Sequence, residues 1–528
     1  MTARTVGPGP PRRVLPETSG ARPVLLGEAL SIADVVGVAR GAWPVGVADS
    51  AAPAVARTRA FVEELAAGSA PVYGVSTGVG KLKDTVIPPG DRLALQANLV
   101  RSHAAGLGPF MSVAETRAMW CCLAGSLARG ASGVRLALIE LICACLNRGV
   151  VPVVPEWGSV GASGDLIPLA HAALVLMGEG EAWREGRREP GGVALNAVGL
   201  VPLALEAKEG LALLNGTHQM AGQGALVVAD AGALVRLADV TGSMSLEALW
   251  GSTAAADARV HALRPHPGQA SSAANVRRLT RGSALVAAHA GCDRVQDAYS
   301  LRCLPQVHGA ARAALGFARD LLTCELGSVT DNPLLFPEDR LVISGGNFHG
   351  QPLALAFDTL ALGLGYLAGI AERRIDRLVN PLVSELPAFL AGHGGLQSGY
   401  MLAQYQAAAV ASEVKALAHP ASADSIPTSG NQEDFVSMGA AAVRRCREVL
   451  GRVRAVLAIE AVCAAQALDL RAPLGPGEGS AVARAAVRSV VPPLSGDRVI
   501  HDDLRSALAL VEDGRLLAAV ESAVGPLD

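Results

Sequence analysis

The sequence predicts a mainly α-helical fold with a central bundle of long, apolar helices, and three observations carry that expectation. Half of the residues are hydrophobic but only 3% are aromatic, so the core must be built from Ala, Val and Leu, which suits closely packed helices. Between Pro352 and Arg374, Phe357, Leu360, Leu364 and Leu367 recur at three- and four-residue steps, with Asp358 the one charge before Glu372. The same spacing returns at Val443, Cys446, Leu450, Val453 and Leu457, now with Arg444, Arg445, Arg447 and Glu448 on another face. The first pattern predicts a helix buried on all sides, the second an amphipathic one.

In chain order, residues 1–22 read as a loose Pro/Gly/Arg tail, with no apolar block after its arginines that would make a secretory signal. Helical spacing then runs from Leu25 to Ala67, including Ala29, Ile32, Val35 and Val36 and a second run from Val55 to Leu65. Tyr73-Gly74-Val75-Ser76-Thr77-Gly78-Val79-Gly80 follows as a turn-rich loop. Lys81 after the last glycine suggests a phosphate-cradling loop, but no Ser/Thr follows it and the glycine spacing is wrong. Residues 95–106 read as a helix, carrying Ser102-His103 and closed by Gly106.

Gly158-Ser-Val-Gly-Ala-Ser-Gly-Asp165 comes next, where three glycines and small neighbours allow a tight bend. Asp165 then stands at the N-cap of the apolar helix that begins with Leu166. Further polar punctuation lies at Leu214-Asn215-Gly216-Thr217, Gln296 to Gln306, Asp331-Asn332-Pro333, Gly345 to Gly350 and Ser429 to Asp434.

The net charge of −3 gives no electrostatic footprint for nucleic acid or an anionic membrane. A transmembrane reading of 352–374 competes on apolarity alone; its glycines, its Asp358 and the lack of a comparable isolated span favour a bundle helix. The nine cysteines include no paired C-x-x-C spacing and the eleven histidines no H-E-x-x-H, so no metal site is expected. Reduced thiols and a cytoplasmic setting fit that usage.

These loops, in this order, resemble the histidine and aromatic amino acid ammonia-lyases. The resemblance implies their fold, with a loop-built active site and one unit over 23–528: an N-terminal part (23–200) carrying the Tyr loop and the Ala-Ser-Gly loop, and a helical bundle and C-terminal part (201–528). It implies that Ala162-Ser163-Gly164 cyclises autocatalytically into a 4-methylidene-imidazol-5-one (MIO), with no external cofactor. In that chemistry the Gly164 nitrogen attacks the Ala162 carbonyl and two waters leave, one of them carrying the Ser163 hydroxyl.

The residue roles carried over are specific. Tyr73 is the general base, on a mobile loop; Arg302 pairs with the substrate carboxylate, for which a planar guanidinium fork is suited. Asn215, Gln296, Tyr299 and Phe348 line the site. Ser102-His103 and Glu433 match the histidine-selective members, and a carboxylate can accept an imidazole N–H that a phenyl ring does not offer. His218-Gln219 departs from the family's usual residues after Thr217.

The activity implied is deamination of L-histidine to trans-urocanate and ammonia, the first step of histidine degradation, by a homotetramer whose active sites are shared between chains. Whether the amine or the ring of the substrate attacks the electrophile stays open. The rivals are a phenylalanine or tyrosine ammonia-lyase, an aminomutase, and an inactive structural or binding homologue.

Overall fold

The computed structural model describes residues 22–528. The expected tail lies outside the described residues, apart from Arg22, which pairs with Asp34 at 2.7 Å. The chain forms two compact units: one of residues up to Gly158, Leu166–Gly222 and Leu326–Asn347, the other of Ser159–Asp165, Gln223–Glu325 and Phe348–Asp528.

In the first unit the helical reading of 25–67 resolves into helices Ile32–Arg40 and Ala52–Ala67, separated by an element the spacing did not predict. Val24–Leu26 and Val45–Val47 pair as parallel strands, because three-residue β segments are too short to leave a periodic signature. The starts of two helices are written locally: Ser31 with Asp34 and Ser112 with Glu115 form reciprocal capping boxes. Helix Arg92–His103 ends at Ala104, earlier than the glycine the sequence suggested. Helices Val113–Leu127 and Leu136–Arg148 bury most of their residues, and Phe61, Val62, Val75, Ala207 and Leu335 close a core cluster. That cluster fixes the loop after Val72 and the hairpin Leu334–Phe336/Leu341–Ile343.

The second unit is a set of long helices. Gln351–Val379 packs along Gly439–Leu470, with Met401–Leu417, Glu478–Arg488 and Ile500–Glu512 against them. Val443, Cys446, Leu450, Val453 and Leu457 are all buried, as their spacing predicts. Gly224 allows a close approach: a Cβ there would lie 2.3 Å from the Phe357 ring.

The Gln351–Val379 helix is long and apolar enough to cross a membrane, yet two of its charged residues, Asp358 and Arg374, are engaged inside the unit. Asp358 accepts the Ala421 and Ser422 N–H groups, and Arg374 pairs with the fully buried Glu460. Among the described residues the helix is not buried on every side: Leu355, Leu362 and Tyr366 form an exposed stripe that none of them covers.

A polar network threads the same core. Asp239 accepts from His308 Nδ1 at 2.7 Å, Arg312 at 2.6 Å, Asn275 at 2.9 Å and Ser272. Burial alone would raise the Asp239 pKa, but these donors hold it below the usual carboxylate value. Burial lowers the His308 pKa, leaving a neutral ring whose Nδ1–H faces Asp239.

Candidate active site

The Ala-Ser-Gly loop belongs to the second unit, and its shape follows from its small residues. Gly161 and Gly164 take φ of +67° and +78°, which side chains with a Cβ resist. A Cβ on Gly161 would lie 2.2 Å from the Ser437 hydroxyl oxygen. Ser159 Oγ closes the loop on itself, donating to Asp165 Oδ1 at 2.8 Å and accepting the Gly161 N–H at 3.2 Å. Ser437 Oγ donates to the Gly161 carbonyl at 3.0 Å, and the Met438 N–H to the Val160 carbonyl at 2.9 Å. Ala162 is buried, and helix Leu166–Leu176 begins directly after Asp165.

Ser163 Oγ donates to Glu433 Oε1 at 3.1 Å across 270 positions of sequence. The other carboxylate oxygen is held as well, accepting from Thr428 Oγ1 at 2.9 Å. Thr428 and Glu433 also face each other in an antiparallel bridge, with the Thr428 N–H donating to the Glu433 carbonyl at 2.8 Å. The carboxylate thus stands on a short closed loop rather than on a flexible stem.

Nearby in this unit, His349 stacks on Phe435 with ring centroids 6.1 Å apart, and its Nε2 lies 3.2 Å from the Phe435 carbonyl oxygen. Phe348, the residue before it, is half-buried. Helix Tyr299–Arg302 sets the Arg302 guanidinium 4.6 Å from the Tyr299 ring centroid. The Tyr299 side chain is 71% exposed, so this arginine leans on a ring rather than on a packed wall. Arg302 Nε is shielded from solvent without a hydrogen-bond partner among the described residues. A buried donor of that kind is costly unless an acceptor arrives. Gln296 lies exposed in the coil before this helix.

The first unit holds Tyr73, His103 and Asn215. Tyr73 Oη accepts the Gly80 N–H at 3.1 Å, so the ring folds over its own loop. Gly74, at φ +70°, presses on Leu211, where a Cβ would lie 2.3 Å from its methyl carbon. Gln96 joins this loop to the Asn215 segment, accepting from Gly210 N–H at 2.9 Å with its amide nitrogen 3.4 Å from the Gly74 carbonyl oxygen. His103 Nδ1 lies 2.8 Å from the Leu99 carbonyl oxygen, which makes Nδ1 the donor and Nε2 the acceptor of the neutral ring.

Asn215 follows helix Glu209–Leu214 and is seated on a buried ion pair. Lys208 Nζ lies 2.6 Å from Asp331 Oδ2, and the two side chains are 0% and 2% exposed. Asp331 Oδ1 takes the Asn332 N–H at 2.6 Å and the Asn215 amide at 3.3 Å. His218 is fully buried beside this group, and burial pushes its pKa down to about 4 against the pull of Asp331.

Sequence reasoning missed Lys208, Asp331, Thr428, Ser159 and Ser437 as site supports. Lys208 carried a signal: a lone lysine opening an apolar run has no reason to be there unless paired. Asp331 stood in a noted motif without an assigned partner. Nothing in the local sequence marks Thr428 or Ser437.

The residues present fit the self-made prosthetic group. The loop is bent at glycines, the prospective nucleophile Gly164 carries no side chain, and the prospective leaving hydroxyl already meets a carboxyl group. Among the described residues no cluster of three or more His, Cys, Asp or Glu could hold a metal ion.

Comparison with known proteins agrees with this construction. A sequence profile of the aromatic amino acid lyases matches residues 30–489. A histidine ammonia-lyase of Gloeobacter violaceus is 54% identical over 506 residues, spanning 96% of this chain and 98% of that one. Among solved structures, tyrosine aminomutase of Streptomyces globisporus superposes with a TM-score of 0.92 at 39% identity, covering 96% of this chain and 100% of that one. Histidine ammonia-lyase of Trypanosoma cruzi gives 0.88 at 40% identity, over 96% of each chain. A match of this extent, on a chain that folds as those structures do, places it without ambiguity: it belongs to the aromatic amino acid lyase family.

Proposed function

We propose that this chain deaminates L-histidine non-oxidatively to trans-urocanate and ammonia. The observation that carries the reading is the Glu433 carboxylate, pinned by Thr428 and standing at Ser163, the residue of the reactive loop. The 54% identity to a histidine ammonia-lyase over nearly the whole chain supports the same substrate. The likeness to an aminomutase is at 39% identity and supports the class of chemistry rather than a different substrate.

Ala162-Ser163-Gly164 would provide the MIO group, which supplies electrophilic activation that makes ammonia leave. The chain's own residues do the rest. Arg302 receives the substrate carboxylate, satisfying its shielded Nε–H as well as the charge. His103, through its acceptor Nε2, and Glu433 hold the imidazole; a ring without N–H groups would leave both polar groups unpaired. Tyr73 removes the β-proton; free tyrosine has a pKa of about 10, so a nearby positive charge must favour its phenolate. Asn215, Gln296, Tyr299 and Phe348 complete the lining, with Asn215 oriented by the Lys208–Asp331 pair.

The enzyme works as a homotetramer with shared active sites. The exposed Leu355, Leu362 and Tyr366 stripe supports burial of that helix face by further copies. A cytoplasmic location is supported by nine cysteines that form no disulfide.

Turnover of L-histidine, L-phenylalanine and L-tyrosine side by side, with Ser163→Ala as the blank, tests the reading. Urocanate from histidine is expected. Cinnamate, coumarate or a β-amino acid, with no urocanate, would overturn it.

A further inference from the structure

We propose that Glu433 has an earlier task than substrate binding: it is the proton donor that dehydrates Ser163 when the prosthetic group is made. The inference rests on the reading that Ala162-Ser163-Gly164 cyclises.

A serine hydroxyl is a poor leaving group because hydroxide must depart, and an acid at the oxygen removes that obstacle. The structure places such an acid, Glu433, 3.1 Å from Ser163 Oγ. Its orientation does not depend on substrate: Thr428 Oγ1 holds Oε2 at 2.9 Å, and the Thr428–Glu433 bridge fixes the backbone beneath it. Loop and carboxylate belong to the same compact unit, and Ser437 and Met438 tie residues 160 and 161 to the segment that follows Glu433. A residue serving the imidazole alone would need no contact with the serine that is consumed before any substrate binds.

In the step, the Cα–H bond of residue 163 breaks and its electrons form the Cα=Cβ double bond. The Glu433 carboxylate, which accepts the Ser163 hydroxyl in the structure, first takes up a proton from solvent and then faces Oγ as the donor; as the Cβ–Oγ bond breaks, Oγ takes that proton and leaves as water. The proton released from Cα goes to solvent and replaces the one taken up. The net loss is one water. The other water comes from ring closure between Gly164 N and the Ala162 carbonyl, in which Glu433 takes no part.

The test follows maturation by mass, without substrate. The full-length chain is made by cell-free synthesis, quenched in acid at intervals and weighed intact and as the peptide containing residues 162–164. Wild type should lose two waters. Glu433→Gln keeps the volume and hydrogen-bonding capacity but has no proton to give. It should stop at the loss of one water, or lose the second about a hundredfold more slowly.

Thr428→Val keeps the acid but frees its second oxygen, and should slow the same step about tenfold. Circular dichroism checks that each variant is folded, and Thr428→Val carries the test if Glu433→Gln is not. Loss of both waters at the wild-type rate in the folded variants overturns the proposal. If wild type itself retains its waters, the cyclisation reading fails, and this proposal with it.

Discussion

Replacing Lys208 by Met removes the cation from a buried pair and leaves the Asp331 carboxylate with the Asn332 N–H and the Asn215 amide as its hydrogen-bond donors among the described residues. The two charges lie 2.6 Å apart with exposures of 0% and 2%, so water cannot take the place of the ammonium. Breaking one side of such a pair costs about 3–5 kcal/mol. Through about 1.4 kcal/mol per decade, the local opening equilibrium should rise a hundredfold to a few thousandfold.

Hydrogen exchange on peptides covering 208–217 and 327–333 reads that opening directly, without assuming that the whole chain unfolds in one step. The double variant Lys208→Met/Asp331→Asn removes the stranded charge and should recover about 0.5–3 kcal/mol of the loss. A Lys208→Met variant within about 0.5 kcal/mol of wild type, as a surface substitution is, would refute a structural role for the buried pair. It would also be refuted if the double variant exchanged no more slowly than the single one.

Three further outcomes are expected. His218 titrates at about 4 in the fold against 6.5 when free, so its contribution is present above pH 6.5 and lost as pH falls toward 4. That loss amounts to about 3 kcal/mol; thermal melts across this window should flatten in His218→Asn, and an unchanged acid limb would contradict the assignment. Arg302→Lys replaces a fork by a point charge and should cost about 1.5–3 kcal/mol of kcat/KM, mostly as a raised KM for histidine. An unaltered KM would remove Arg302 from the carboxylate. Tyr73→Phe should lower kcat by about 10²–10⁴-fold while the two-water mass loss stays complete. A kcat equal to wild type would exclude Tyr73 as the base.

The helical architecture was legible because apolar spacing at three and four residues persists over many turns, as at Val443 to Leu457. The all-round burial expected of residues 352–374 is not met among the described residues, since periodicity reports that a face is apolar without saying which chain covers it. The strands Val24–Leu26 and Val45–Val47 were invisible, being too short for alternation to emerge. The roles of the Ser163 loop and of Glu433 were legible through the resemblance to the ammonia-lyases, the residues by themselves giving only a tight glycine bend before a helix and a polar, turn-prone run. Their meeting at 3.1 Å was not, because contacts formed across 270 positions have no local signature. Lys208 and Asp331 are separated by 123 positions and were hidden for the same reason.

That long separation also sets a schedule. Glu433, Ser437 and Met438 emerge from the ribosome long after Ser163, so a growing chain carries the three loop residues without the contacts that hold them. A strong electrophile formed early would be open to any thiol or amine in its surroundings. If the loop cyclises as proposed, late arrival of these partners delays the reagent until there is a fold to hold it, and a chain ending before residue 433 should keep both waters. On that proposal the loop's dependence on distant sequence is a safety catch.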